Sequence, residues 1–208
     1  MIKIKKQNIL NKDFKNKDKI LLILDLDETL IHASENELDR KADFTVFDYH
    51  VYKRPFLKEF LDQVKDDFLL AVWSSASDDY VEEIVKQIFP KEIKLEFVWG
   101  RSRCTYKRNL RIDEYGYYDD NALNHYNYVK HLKKVKKHGY DQGKILIVDD
   151  SPHKCQDNYG NAIYPKEFKG DQHDNELKLL APYLKTFIGK KTVMKIEKRN
   201  WKLRFYKK

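Results

Sequence analysis

Short, continuous apolar runs alternate along this chain with longer segments in which apolar residues recur every three or four positions. A continuous run marks a strand buried on both faces, and the wider spacing marks a helix with one buried face. Ile20 to Leu24, Phe68 to Trp73, Leu95 to Trp99 and Lys144 to Val148 read as buried strands, with Ala162 to Tyr164 as a short fifth. Phe56 to Val64 reads as a helix opened by Pro55, because proline is tolerated in a first turn. Asp78 or Asp79 starts a second helix that carries Val81, Ile84, Val85 and Ile88 on one face. Asn121 to Lys137 is predicted helical from Leu123, Tyr126, Val129 and Leu132, and Asp174 to Leu184 is predicted helical despite Pro182. Phe44 to Tyr52 alternates as a hairpin does. Trp201, Leu203 and Phe205 alternate with Lys202 and Arg204, which predicts a strand whose apolar face packs on its own domain sooner than on a partner.

Strands that alternate with helices predict an α/β fold, with a largely parallel sheet flanked by helices. No internal repeat or long linker divides the chain, and 208 residues suit one compact domain. The expected organisation is a basic N-terminal extension over 1–19, one domain over 20–187 and a basic tail over 188–208. Residues 101–120 lack a helical period and predict a small insertion of hairpins outside the sheet.

Composition narrows the classes. A hydrophobic fraction of 41% supports a core, and 36% charged residues give a polar surface. No apolar run approaches the length of a membrane span, and the first residues lack the apolar stretch of a secretory signal. Cys104 and Cys155 cannot build a disulfide framework and are too few for a zinc site, so they read as reduced thiols of an intracellular protein, in nucleus or cytosol with an organelle left open. The net charge of +8 is unevenly placed. Residues 1–20 hold seven Lys against Asp13 and Asp18, a net of +5. Residues 187–208 hold nine Lys or Arg against Glu197, a net of +8, which leaves −5 for the body between. Such ends could grip nucleic acid, a ribonucleoprotein surface or an acidic partner, or stay solvated.

Three predicted strands end in acids or hydroxyls. Asp25-Leu26-Asp27-Glu28-Thr29 follows the first, Ser74-Ser75 the second, and Asp149-Asp150-Ser151-Pro152 the fourth. Sites in open α/β sheets form at the carboxyl ends of strands, so these groups converge if the strands are neighbours. Close carboxylates repel unless a cation neutralises them, and oxygen donors without His or Cys favour Mg²⁺.

ILDLDETLIH, VYKRPFLKEFL, VWSSAS with Tyr80, GRSRC, NYVKHL and ILIVDDSP resemble the phosphatase domain related to the small C-terminal-domain phosphatases. These are the NLI-interacting-factor-like members of the haloacid dehalogenase superfamily, and the resemblance runs from about 20 to 187. It implies a Rossmann-like sheet with a small cap between the second and third motifs, and a Mg²⁺-dependent phosphomonoester hydrolase. Asp25 would attack phosphorus and Asp27 would serve as acid and then base. The ion would sit among the Asp25 carboxylate, the Asp27 carbonyl and the Asp150 carboxylate, with Asp149 orienting its waters or Lys130. Ser74 would hold phosphoryl oxygens and Lys130 would neutralise the nucleophile and the transferring group. Arg101, Tyr80, Ser75 and Thr29 complete the substrate side, with Thr29 chiefly holding the loop. Arg54 reads as a structural partner. The chain departs from the family in Asp150, where asparagine is common, and in a longer segment between Cys104 and Lys130. Tyr106, Tyr115, Tyr117, Tyr118, Tyr126 and Tyr128 in that segment either pack a cap or, with Lys107, Arg108 and Arg111, grip substrate. A phosphorylated protein is the expected partner. The alternatives are a nucleic-acid terminal phosphate, or a binding subunit that retains the fold.

Overall fold

The computed structural model describes residues 19–108, 126–158 and 160–206. In chain order its strands are β1 (Ile20–Leu24), β2 (Ile31–Ser34), β3 (Phe44–Val46), β4 (Tyr49–Lys53), β5 (Phe68–Trp73), β6 (Leu95–Trp99), β7 (Thr105–Arg108), β8 (Tyr126–Val129), β9 (Ile145–Val148) and β10 (Ala162–Ile163). Its α-helices are α1 (Leu57–Val64), α2 (Asp78–Ile88), α3 (Lys133–Lys136), α4 (Glu176–Lys185) and α5 (Trp201–Tyr206).

The five apolar runs form one parallel sheet in the order β10-β9-β1-β5-β6. β1 lies at its centre, with all of its residues buried. Successive side chains of a strand point to opposite faces, and β1 divides accordingly. Leu22 and Leu24 join Phe60, Val81, Ile84, Leu180 and Leu184 on one side, where α1, α2 and α4 pack. Leu21 and Ile23 join Trp73, Trp99, Leu132 and Val135 on the other. The sheet is therefore flanked by helical segments on both faces, as its continuous apolar runs predict.

Two antiparallel sheets stand apart from it. β3 and β4 form the expected hairpin, and β2 pairs with β4 from the other side. β2 escapes a periodicity reading because only Ile31 is buried, while His32 to Ser34 are half-buried. The second small sheet corrects a prediction. Tyr126 to Val129 is a strand paired with β7, not the middle of a helix, and among the described residues of that stretch only Lys133 to Lys136 is α-helical. Val129 and Leu132 fit a helical spacing, but an aromatic and β-branched segment finds its partner in Thr105–Arg108, and the Tyr106 and Tyr128 rings meet at 5.9 Å. The expected helix over 121–125 and the rest of the insertion, including Tyr115, Tyr117 and Tyr118, lie outside the described residues.

The tail corrects a second prediction. Residues 201–206 form a helix, and Trp201 and Phe205 share one face because they stand four apart. Both rings pack on Tyr183 of α4, at 5.1 and 5.7 Å, while Leu203 points outward and is 51% exposed. The sequence W-K-L-R-F satisfies both periods, and the docking of two aromatics on Tyr183 selects the helix. Lys198 is buried and its ammonium donates to the carbonyls of Gly160, Val193 and Ile196. Lys202 pairs with Glu176, and Arg199 with Glu197. Of the tail's positive charge, that of Lys198 is thus taken up inside the fold, and Lys202 and Arg199 are paired at the surface.

Candidate active site

Register places the chemistry. Leu24 pairs with Val72 on one side and Val148 on the other, so Asp25 and Asp149 leave adjacent strands at one level of the carboxyl edge, and Ser74 follows one residue farther along the next strand. Backbone bonds from Asp25 to Val148 (3.0 Å), Ser74 to Trp99 (2.9 Å) and Asp149 to Ile163 (3.2 Å) extend the ladder to that rim. All three residues are buried.

Lys130, fully buried, reaches this cluster from the loop after β8. Its ammonium lies 2.6 Å from Asp149 Oδ2 and 2.9 Å from Asp25 Oδ1. Burial opposes its charge, and Asp149 and Asp25 overcome that cost and hold the ammonium above its ordinary range. Lys154 was not anticipated. It stands on the 3-10 turn Pro152–Asn158 with its ammonium 3.4 Å from Asp25 Oδ2. Burial pushes its affinity for protons down, and Asp25 and Asp149 more than restore it. The Asp25 carboxyl feels burial first, but Lys130 and Lys154 outweigh it and hold it below the usual carboxylate range. In Asp149 burial and the charge of Asp25 prevail, and its carboxyl is raised.

The residues fit a hard divalent cation. Asp25, Asp149 and Asp150 each offer an oxygen within 4.8 Å of the others. Asp25 Oδ1 is buried and, although 2.9 Å from Lys130, lacks any aligned hydrogen bond, so it retains a lone pair for another electrophile. An all-oxygen donor set suits Mg²⁺. Asp149 joins this cluster in addition to Asp25 and Asp150, though its oxygens are already engaged by Lys130 and by the backbone N–H of Ser151 at 2.9 Å. The Asp27 carboxylate stays outside the cluster.

Asp27 instead accepts from the Tyr80 hydroxyl at 2.8 Å and the Ser74 hydroxyl at 3.2 Å. Burial, then the charge of Asp25, raise its carboxyl above the ordinary value, against the two hydrogen bonds it accepts. The bond from Tyr80 is a contact that sequence reasoning missed, since Tyr80 reads as a ring of the substrate pocket. Thr29 is buried with its hydroxyl donating to Asp150 Oδ1 and accepting from Asp150 N, both at 3.1 Å. It therefore ties the first motif loop to the last.

Arg54 fastens the same loop from behind. It donates to the Thr29 carbonyl at 2.9 Å and to the Lys166 carbonyl at 2.6 Å, and grips both oxygens of Asp174 at 2.9 and 2.8 Å. Burial opposes the Asp174 charge, and the bonds from Arg54 outweigh it and keep the carboxyl below its ordinary 3.8. A depressed folded value gives stability that is present at neutral pH and fades as pH falls through it. Arg54→Met is expected to cost about 3–5 kcal/mol by stranding Asp174. Denaturant titration checks the loss, and melting curves of Asp174→Asn should show a shallower decline of stability below about pH 4 than the wild type.

Beside Asp27 opens a cavity of about 380 Å³, walled by Phe47, Tyr49 and Tyr80 and by Arg101. The Arg101 guanidinium is exposed, 5.1 Å from the Tyr128 ring, and its Nε donates to the Ser75 carbonyl at 2.9 Å. Ser75 thus meets Arg101 through its backbone. Phe47 is 60% exposed at the hairpin tip, and a φ of 50° forces it into the left-handed region.

Comparison with known proteins gives a concordant result. The family described as NLI interacting factor-like phosphatase matches residues 20–194. The "CTD small phosphatase-like protein 2" of Dictyostelium discoideum is 31% identical over 82% of this chain and 28% of its own length. The human "Carboxy-terminal domain RNA polymerase II polypeptide A small phosphatase 1" is 28% identical over 80% of this chain and 58% of its own. The chain thus spans well under two thirds of the length of these relatives. Among solved structures, fission yeast RNA polymerase II CTD phosphatase Fcp1 bound to beryllium fluoride aligns with a TM-score of 0.53 at 16% identity, over 95% of this chain and 53% of that one. At that identity the likeness shows a shared fold.

Proposed function

The chain belongs to the NLI interacting factor-like phosphatase family, and we propose from this that it is a Mg²⁺-dependent phosphomonoester hydrolase acting on phosphoserine or phosphothreonine in proteins. One observation carries the reading: Asp25, Asp149 and Asp150 cluster within 4.8 Å while Lys130 bridges the first two. Buried charge of this density suits a site that stabilises a transferring phosphoryl group.

Asp25, kept ionised by its two lysines, attacks phosphorus. The bond from phosphorus to the leaving oxygen breaks, and Asp27, whose proton affinity burial raises, gives that oxygen a proton. Asp27 then takes a proton from water as the water oxygen attacks phosphorus, which breaks the aspartyl bond and releases phosphate. Ser74 and Tyr80 fix Asp27 in line with that task. Asp25, Asp150 and Asp149 would hold a Mg²⁺ ion, whose charge would offset the phosphoryl oxygens. Thr29 keeps Asp150 in place, and Lys130 keeps Asp25 and Asp149 apart in charge.

A protein substrate is favoured by the open cavity, whose aromatic wall and Arg101 suit a side chain next to a phosphorylated residue. The relatives' names point the same way. A nucleic-acid terminus has weaker support, because Lys198 and Lys202 of the basic tail are engaged within the fold. Two buried, unpaired cysteines agree with a reducing intracellular setting. The test is a panel of phosphopeptides and 5′-phosphorylated oligonucleotides, assayed with Mg²⁺ and with chelator. Turnover of phosphopeptides that chelator abolishes is expected. Exclusive turnover of oligonucleotides with a steep salt dependence would replace the substrate assignment.

A further inference from the structure

Asp25 presents one oxygen to each of two ammonium groups. Lys130 lies 2.9 Å from Oδ1 and Lys154 lies 3.4 Å from Oδ2. Oδ1 keeps a lone pair for a metal ion, but a cation entering this cluster brings its charge against both ammonium groups, and Lys154 covers the oxygen left for phosphorus. The two are not equally free to yield. Lys130 is fully buried and is also fixed to Asp149 at 2.6 Å. Lys154 is 18% exposed and its ammonium makes the longer contact. Its backbone is anchored on both sides, with its N–H donating to the Ser151 carbonyl at 3.0 Å and its carbonyl accepting from Lys130 N at 2.8 Å. The side chain can therefore swing outward without disturbing the turn that carries it.

Charge favours the same choice. The three clustered carboxylates are matched by Lys130 and one divalent ion, and Lys154 retained beside that ion would face a like charge in a poorly solvated site. Resting on the reading of Asp25, Asp149 and Asp150 as a metal set, we propose that Lys154 is a built-in counter-cation. Its ammonium neutralises Asp25 in the metal-free chain and is displaced from Asp25 when a divalent cation binds. Lys154 thereby sets the metal affinity of the site and protects the apo fold from its own carboxylates.

Calorimetric titration of MgCl₂ into the full chain without substrate tests this, comparing wild type with Lys154→Met and Lys154→Gln. Both variants are expected to bind Mg²⁺ roughly tenfold more tightly. They should also melt at lower temperature without metal and regain the difference at saturating Mg²⁺. An unchanged or weaker affinity in a folded variant overturns the role of Lys154 and leaves the metal site standing. Should Lys154→Met fail to fold, Lys154→Gln, which keeps a polar chain of similar reach, gives the same comparison. Absence of saturable binding in the wild type and both variants overturns the metal site, and the counter-cation with it.

Discussion

Asp25→Asn is expected to lower kcat on a phosphopeptide by at least about 10⁴-fold while leaving the fold intact. Asparagine keeps the shape and removes the charge and nucleophilicity, so neither attack on phosphorus nor a strong bond to a cation remains. The substitution also removes the carboxylate that Lys130 and Lys154 face. Stability should therefore change in a way that activity alone would not reveal, because two ammonium groups lose a shared partner while Lys130 retains Asp149. Steady-state kinetics with circular dichroism on the same preparation separates the effects. Retention of more than about a tenth of wild-type turnover would remove Asp25 from the chemistry.

Lys130→Met should destabilise the fold strongly. The side chain is fully buried between Asp25 and Asp149, and removing it leaves two buried carboxylates facing each other with Lys154 as the remaining counter-charge among the described residues. Breaking such a pair costs about 3–5 kcal/mol, and denaturant titration measures it. Because Lys130 holds its proton more tightly in the folded chain, its contribution is fully present below its ordinary value of 10.5 and fades only above it. At neutral pH the whole loss should therefore be seen. Adding Asp149→Asn to Lys130→Met removes one of the stranded charges, so the double variant should be more stable than the sum of the single losses predicts. Strict additivity would mean that the two groups do not interact as their 2.6 Å separation requires.

The sheet was legible because its strands are buried on both faces, and that burial writes itself as unbroken apolar runs such as Ile20–Leu24 and Phe68–Trp73. The position of Asp25, Ser74 and Asp149 followed from where those runs end. Features that depend on long-range pairing were less legible. β8 was hidden because Tyr126 to Val129 acquires its identity from β7, some twenty residues earlier, and a local window sees only the helical spacing of Val129 and Leu132. α5 was hidden because Trp201 and Phe205 lie four apart and also an even number apart, and only Tyr183 decides between the periods. Lys154 had a faint signal, its place four residues beyond Asp150, but a lysine in a charged chain is usually solvated and nothing local shows its reach to Asp25. The hydroxyl of Tyr80 is a similar case. Its ring was placed by the start of α2, while its bond to Asp27 depends on the depth of the cavity between two motifs.

Covalent capture probes the central claim most directly. Wild-type chain mixed with excess phosphopeptide and Mg²⁺, quenched in acid within the first turnover and mapped by mass spectrometry, should carry one phosphoryl group on the peptide that contains Asp25. Asp25→Asn should carry none. A phosphoryl group on any other residue, or a burst of phosphate with an unmodified Asp25 peptide throughout, would contradict the account.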